Sequence, residues 1–445
     1  MSLAIVLNKV PTDGKKKIIF GVTAGILSTA TDGLAGILNI HYLFKFLPEH
    51  AASFWLLVVT AGGVLLLAQN AVIPAVSRLI AQSNKEVTSQ SIRNLIWTIH
   101  RTTLGICFTM LAGAIIVYFS YLEPLSSKNS LGPEAGWTWV LYSFSIVAAF
   151  EATTLFSIVN GLGEVGLDKV MRIASSITGV VISWIGLTIG FGLPALGVAS
   201  LASSITMLIS SVYILRNLLI KKSITTKTVR NKSSKGDLPL KNSALMADIG
   251  KLTGLTLMSY FVINAGLFVI EKRFGLVAVS QYAPLIRVVS LLCTISIIIP
   301  HTVYPYVSKT WSQGDLRTHR ILYLNSISSA ILVYVASAAA VFCLAPHIIP
   351  RWIGEKNYLG GEVLLWILLF HGLVVWNTAF VSPVLASVGN AFVLPSVVNL
   401  VLVLTLLWPM STVFGLKGIP IAMIVGSLPT SIWVAVRSYF IMLKR

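Results

Sequence analysis

Twelve stretches of this chain are long and apolar enough to cross a bilayer, and that recurring length constrains the fold more than any motif does. A hydrocarbon core about 30 Å thick takes roughly 20 mostly apolar residues of helix. Windows of that size fall at residues 18–43, 54–77, 102–121, 138–160, 173–190 and 196–215. They continue at 251–270, 281–304, 320–343, 362–386, 395–413 and 419–439. Without water to bond to, the backbone of an open segment must satisfy itself, and a helix does so. Composition agrees: 56% of the 445 residues are hydrophobic and 11% charged, where a soluble domain carries about 25% charged. The expectation is an all-α polytopic membrane protein of about twelve spans.

Loop charges set the orientation. One set of loops, with both ends of the chain, holds 24 Lys and Arg, among them Lys15, Lys16, Lys17, Lys169, Arg216 and Arg437. The opposite loops hold 7, among them Lys45, Lys272 and Lys417. The richer side is expected to be cytoplasmic, with both termini there. The net charge of +18 is therefore spread over short loops and offers no continuous basic face to nucleic acid. Lys15–Lys17 precede an apolar stretch too long for the core of a secretory signal, so no cleaved leader is expected.

The longest loop, Arg216 to Gly250, is rich in Lys, Ser and Thr and falls at the midpoint. It reads as a flexible cytoplasmic linker (218–248) between an N-lobe (1–217) and a C-lobe (249–445) of six spans each. Three short matches support a duplication. "VIPAVSRLIAQ" at 72–82 aligns with "VYPYVSKTWSQ" at 303–313, "FGLPALGVA" at 191–199 with "FGLKGIPIA" at 414–422, and "NGLGEV" at 160–165 with "ASVGNA" at 386–391. Each repeat holds an even number of spans, so both keep one orientation and are related about an axis along the membrane normal. Two lobes related this way are expected to leave a cleft at mid-membrane.

A charge at the bilayer centre costs about 2.5–3.5 kcal/mol on insertion scales, so retained ones are functional candidates by default. Asp32 lies mid-way along the first span, where Gly21, Gly25, Ser28, Asp32, Gly36 and Asn39 recur at three- and four-residue steps. This stripe is either a close-packed helix seam or the wall of a polar cavity. Glu151 is a second deep acid, in the fourth span, and His371 lies centrally in the tenth. Asp32, Glu151 and His371 are candidates for cation coupling; for His371, simple packing is the competing reading. Arg287 sits just inside the outer edge of the eighth span and Arg101 at the inner edge of the third; each either contacts an anion or snorkels to the interface. The seventh span repeats the polar stripe with Thr253, Thr256, Tyr260 and Asn264. Arg287, Arg101, Asn39, Tyr260 and Asn264 are thus candidates for substrate binding. Prolines crowd the second half, including Pro284, Pro300, Pro383, Pro409 and Pro429, and suit helices that bend.

Catalytic and nucleotide-binding motifs are absent, and no loop is long enough for an ATPase domain. The expectation is no enzyme and no cofactor, with any transport driven by gradients. Cys107, Cys293 and Cys343 lie in apolar segments without metal-ligand spacing and read as small core residues. The outer segments near 122–137 and 344–361 are too short to hold an acceptor sugar, which argues against a membrane glycosyltransferase or ligase.

The order of these features resembles the multidrug/oligosaccharidyl-lipid/polysaccharide (MOP) transporter superfamily, and within it the O-antigen and polysaccharide flippase branch. The segments that carry the likeness are "LPEHAASFW" after the first span, "SRLIAQ" ending the second, and "NGLGEVGLDKVMRIASSITG" joining the fourth to the fifth. "FGLPALGVASLASS" leads into the sixth span and "PRWIGEKNYLGGEVLLWIL" into the tenth. Leu47-Pro48 stands where that pattern usually has Leu-Gly, and Gln69-Asn70 where an Asp-Gly-like pair is common. The resemblance implies a MATE-like fold and a flippase that moves an undecaprenyl-diphosphate-linked oligosaccharide to the outer leaflet of a bacterial inner membrane. Its partners would be that lipid-linked glycan, membrane lipids and other polysaccharide-assembly membrane proteins. Two outward-moving diphosphate charges would gain roughly 4.6 kcal/mol from 100 mV, at about 2.3 kcal/mol per charge. The alternative, from another branch, is an H⁺- or Na⁺-coupled antiporter of small organic molecules, a branch that Asp32 resembles in placing an acid on the first span.

Overall fold

The computed structural model describes residues 12–67, 69, 72–73, 76–77, 80, 89–162, 164, 166–226, 242–388 and 392–443. Among these residues the regular elements are helices. The greater part of the basic linker expected at 218–248, both chain ends, and much of the first and third repeat matches lie outside the described residues.

Every apolar window has its helix. In the first half these are α1 (Thr12–Phe46), α2 (Glu49–Leu65), α3 (Ser89–Val117), α4 (Glu134–Gly161), α5 (Leu167–Thr188) and α6 (Pro194–Thr226). In the second they are α7 (Asn242–Phe274), α8 (Leu276–Ser312), α9 (Leu316–Ile353), α10 (Gly361–Val388), α11 (Val393–Phe414) and α12 (Gly418–Leu443). A π-helical turn at Tyr118–Leu122 joins α3 to a short helix, Glu123–Lys128. Between α7 and α8 the only residue is Gly275, at φ +84°; a left-handed corner of one residue suits glycine, which has no Cβ to clash. α9 starts on Asp315, whose carboxylate accepts the Thr318 N–H at 3.1 Å, and ends at Gly354.

The helices divide into two compact units. Unit 1 holds 3–47 and 58–257, and unit 2 holds 48–57 and 258–445. In unit 1 the apolar part of α4 is 72% buried, against 17% for α5 and 22% for α6, so α4 is the inner post. Its sequence explains how it can be: the buried hydroxyls of Ser143, Thr154 and Ser157 each donate to a carbonyl of α4 itself, at 2.8, 3.0 and 2.8 Å. They need no water, which a membrane interior lacks. The Trp139 indole donates to the Ala114 carbonyl of α3 at 3.0 Å, and Gly197 of α6 lets Leu141 and the Thr138 carbonyl close in. In unit 2 the inner post is α8, 67% buried.

Within each unit the same partners meet: α4 with α6 and α5 with α6 in the first, α10 with α12 and α11 with α12 in the second. A shared polar pair marks the correspondence. Ser175 of α5 bonds Ser203 of α6 at 2.7 Å, and Ser427 of α12 donates to Asn399 of α11 at 3.0 Å; each pair is separated by 28 positions. The offset between the pairs falls within the range of the three sequence matches, as a duplication requires.

One expectation is corrected. Cys107 and Cys293 are buried, but Cys343 is exposed, because α9 packs one flank on α8 and α10 and leaves an apolar face outward, as lipid-facing helices do. Of the prolines, Pro346 and Pro350 lie inside α9, Pro409 inside α11 and Pro429 inside α12.

Candidate functional site

The polar stripe of α1 divides in the folded unit. Asp32 accepts a hydrogen bond from the Ser176 hydroxyl of α5, and Asn39 accepts one from Ser183 of the same helix at 3.3 Å. Both pairs step by seven residues on both helices, two turns, or about 10 Å along the axis. α1 and α5 therefore run side by side in the same direction, with the polar pairs on their common flank. The buried Ser28 hydroxyl, one turn before Asp32, has no hydrogen-bond partner among the described residues. The glycines behave differently: a methyl at Gly25 or Gly36 would meet nothing within 4 Å, whereas Gly21 is crossed closely by Gly166 at the start of α5. A uniform close-packed seam would have filled all three, so only the inner end of the stripe is one.

Glu151 of α4 is the most enclosed of the predicted site residues in unit 1. The His100 ring nitrogen Nδ1 bonds one carboxylate oxygen, and the Thr103 hydroxyl donates to the other at 2.9 Å. His100 and Thr103 lie three residues apart on one face of α3. The Glu151 side chain is 10% exposed and that of His100 46%. Arg101, next to His100, turns outward and lies over the Trp97 ring at 5.8 Å; among the described residues it does not join Asp32 or Glu151.

In unit 2 the predicted residues form a looser group. Arg287 of α8 is exposed and lies within electrostatic reach of the half-buried Tyr260 of α7. Asn264 spends an amide proton on the Tyr260 carbonyl at 3.0 Å, inside its own helix. His371 of α10 is buried, with Nδ1 against the Ile367 carbonyl at 2.9 Å and Nε2 3.5 Å from the Ser290 hydroxyl. A carbonyl only accepts, so Nδ1 carries a proton toward Ile367, while Nε2 faces the Ser290 hydroxyl. Both ring nitrogens thus have a partner, the arrangement that the packing reading expects. Among the described residues, no group of three or more His, Cys, Asp and Glu is placed to hold a metal ion.

Sequence reasoning did not assign His100, Thr103, Ser176 or Ser183. The signal that could have found the serines is the matched spacing: Asp32 and Asn39 are seven apart, and so are Ser176 and Ser183. His100 and Thr103 carried no comparable mark.

No family model matches the sequence, and no curated protein matches it. Solved structures do. The chain is similar to the outward-facing conformation of a multidrug resistance MATE family transporter of the MOP superfamily, with TM-score 0.68, 15% identity, and 98% of this chain and 97% of that one covered. The inward-facing conformation of a multidrug resistance MATE family transporter gives 0.67 at 15% identity, covering 93% and 95%. A Vibrio cholerae MATE transporter in its bent form gives 0.62 at 16%, covering 97% of each chain. Across nearly its whole length, this chain has the fold of the MATE transporters of the MOP superfamily.

Proposed function

We propose that this protein is a gradient-driven secondary transporter that exchanges a small organic molecule for H⁺ or Na⁺, with Asp32 as a coupling carboxylate. The observation that carries the reading is the setting of Asp32 on a MATE-type fold. Its partner is the neutral hydroxyl of Ser176, and among the described residues no cation pairs with it. A carboxylate kept at mid-membrane without a fixed counter-charge is costly, and a mobile cation relieves that cost. The solved neighbours include multidrug resistance transporters, which supports a small organic substrate. The loop-charge asymmetry supports an inner-membrane protein with both termini in the cytoplasm, and two six-span lobes joined by 218–248.

A second reading, the flippase for a lipid-linked oligosaccharide, has one observation in its favour. Arg287 is an exposed guanidinium with no acidic partner among the described residues, and the fork geometry of arginine suits a diphosphate. Tyr260 beside it would add a hydroxyl for the glycan. Deleting the gene in its host separates the two. The exchange reading expects ethidium to accumulate in the deleted strain and efflux to return with the wild-type gene but not with Asp32→Asn. If ethidium handling is unchanged while lipid-linked glycan builds up on the inner leaflet, the exchange reading is wrong and the flippase reading stands. In that case Arg287→Ala, at matched protein level, should fail to restore surface glycan.

A further inference from the structure

We infer that His100 and Glu151 form a proton-binding site on the α3–α4 pair, separate from Asp32 on α1, with Thr103 as its two-position hydrogen-bond partner. The site rests on its own geometry; only its use in transport rests on the exchange reading above.

The first argument is access. Glu151 is enclosed, with a side chain 10% exposed, while the imidazole bonded to it is 46% exposed. The route from the surface to the carboxylate therefore passes through the His100 ring. The two ring nitrogens are distinct: Nδ1 faces Glu151, which leaves Nε2 as the outer one. In the resting form Nδ1–H donates to the carboxylate and Nε2 holds a lone pair. A proton arriving at Nε2 makes an imidazolium. The Nδ1 proton then crosses to the Glu151 oxygen, leaving a neutral imidazole protonated at Nε2 and a carboxylic acid. One proton enters, one N–H bond forms and one breaks, and one O–H bond forms.

The second argument is what the carboxylate is bonded to. Both of its oxygens face hydrogen-bond donors, a ring N–H and a hydroxyl. Hard metal cations instead take several oxygen lone pairs, and this shell turns protons, not lone pairs, toward the acid. It selects H⁺ over Na⁺.

The third is Thr103. Its hydroxyl has a single proton and two acceptors in reach, Glu151 at 2.9 Å and the His100 carbonyl at 3.0 Å. With Glu151 ionised the proton serves the carboxylate; with Glu151 protonated it swings to the helix carbonyl. The site thus stays satisfied in both states, which a buried polar group requires.

The charged and titratable surroundings are sparse. From α3 they are Cys107, whose thiol lies in electrostatic reach of Glu151, and Arg101, turned outward over Trp97. Between Glu134 and Gly161, α4 carries no other charged residue. α6 has none before Arg216, and α2 none between His50 and Leu65. Among the described residues, no fixed cation pairs with the acid in competition with His100.

The test is pH-jump infrared difference spectroscopy on the full chain in lipid nanodiscs, alongside stopped-flow proton uptake read by a pH dye. Acidification is expected to raise the carbonyl stretch of a protonated carboxylic acid that Glu151→Gln abolishes, Asp32→Asn retains and Thr103→Val shifts in frequency. His100→Ala is expected to slow proton uptake at least tenfold. A spectrum from which Glu151→Gln removes no carboxylic-acid band, or uptake in His100→Ala as fast as wild type, would overturn the site. If the wild type shows the band but exchanges no ethidium, the site holds and the exchange reading alone fails. Thr103→Val, the mildest change, keeps the test decisive should either deeper variant misfold.

Discussion

At the residue scale, what holds a carboxylate decides how it responds to protons. Asp32 meets a hydroxyl and Glu151 an imidazole plus a hydroxyl, so a proton reaching one meets different partners from a proton reaching the other. Asp315, outside the membrane, is the simplest case. Its bonds to Thr318 hold its carboxyl below the usual carboxylate range. Its contribution to the start of α9 is therefore in place above that usual range, and is lost as pH falls through the depressed value. Asp315→Asn keeps a good helix cap without the charge. It is expected to flatten the acid limb of the melting curve in detergent, and a limb unchanged from wild type would refute this role. The acids were legible in the sequence because charge in an apolar run stands out. Their partners were not: Ser176 lies 144 positions from Asp32 and His100 lies 51 from Glu151, and only folding brings them together.

At the element scale, small residues decide where helices touch. A Cβ at Gly197 would come within 3.0 Å of the Thr138 carbonyl, and one at Gly426 within 2.8 Å of the Val403 backbone nitrogen. Backbone cannot step aside as a flexible side chain can, so Gly197→Ala and Gly426→Ala should each cost ~1–3 kcal/mol by overpacking. The two glycines lie in different units, so the double variant should cost the sum. Equilibrium unfolding in mixed micelles checks both points, and a near-neutral Gly197→Ala would mean that the α4–α6 contact is looser than described. The positions of the helices were readable because the bilayer sets one length. Their ends were not, since hydropathy registers only the hydrocarbon core: α9 extends over 38 residues, well past its apolar window. Its limits come instead from the Asp315 cap and from Gly354.

At the scale of the whole molecule, the fold matches the MATE transporters where family models and curated proteins give no match. Short apolar motifs drift freely while helix order and packing persist, so the resemblance to the MOP superfamily was readable but the branch was not. The substrate contacts proposed for Arg287 and Tyr260 are single polar side chains, which short apolar motifs do not encode. On the proposed reading, cation movement through Asp32 drives exchange on this scaffold. The most direct measurement is ethidium uptake into proteoliposomes under an imposed pH or Na⁺ gradient, comparing wild type with Asp32→Asn at equal reconstitution. The expected result is gradient-dependent accumulation by the wild type that falls at least tenfold in Asp32→Asn. Equal accumulation by both proteins, or uptake indifferent to either gradient, would contradict it.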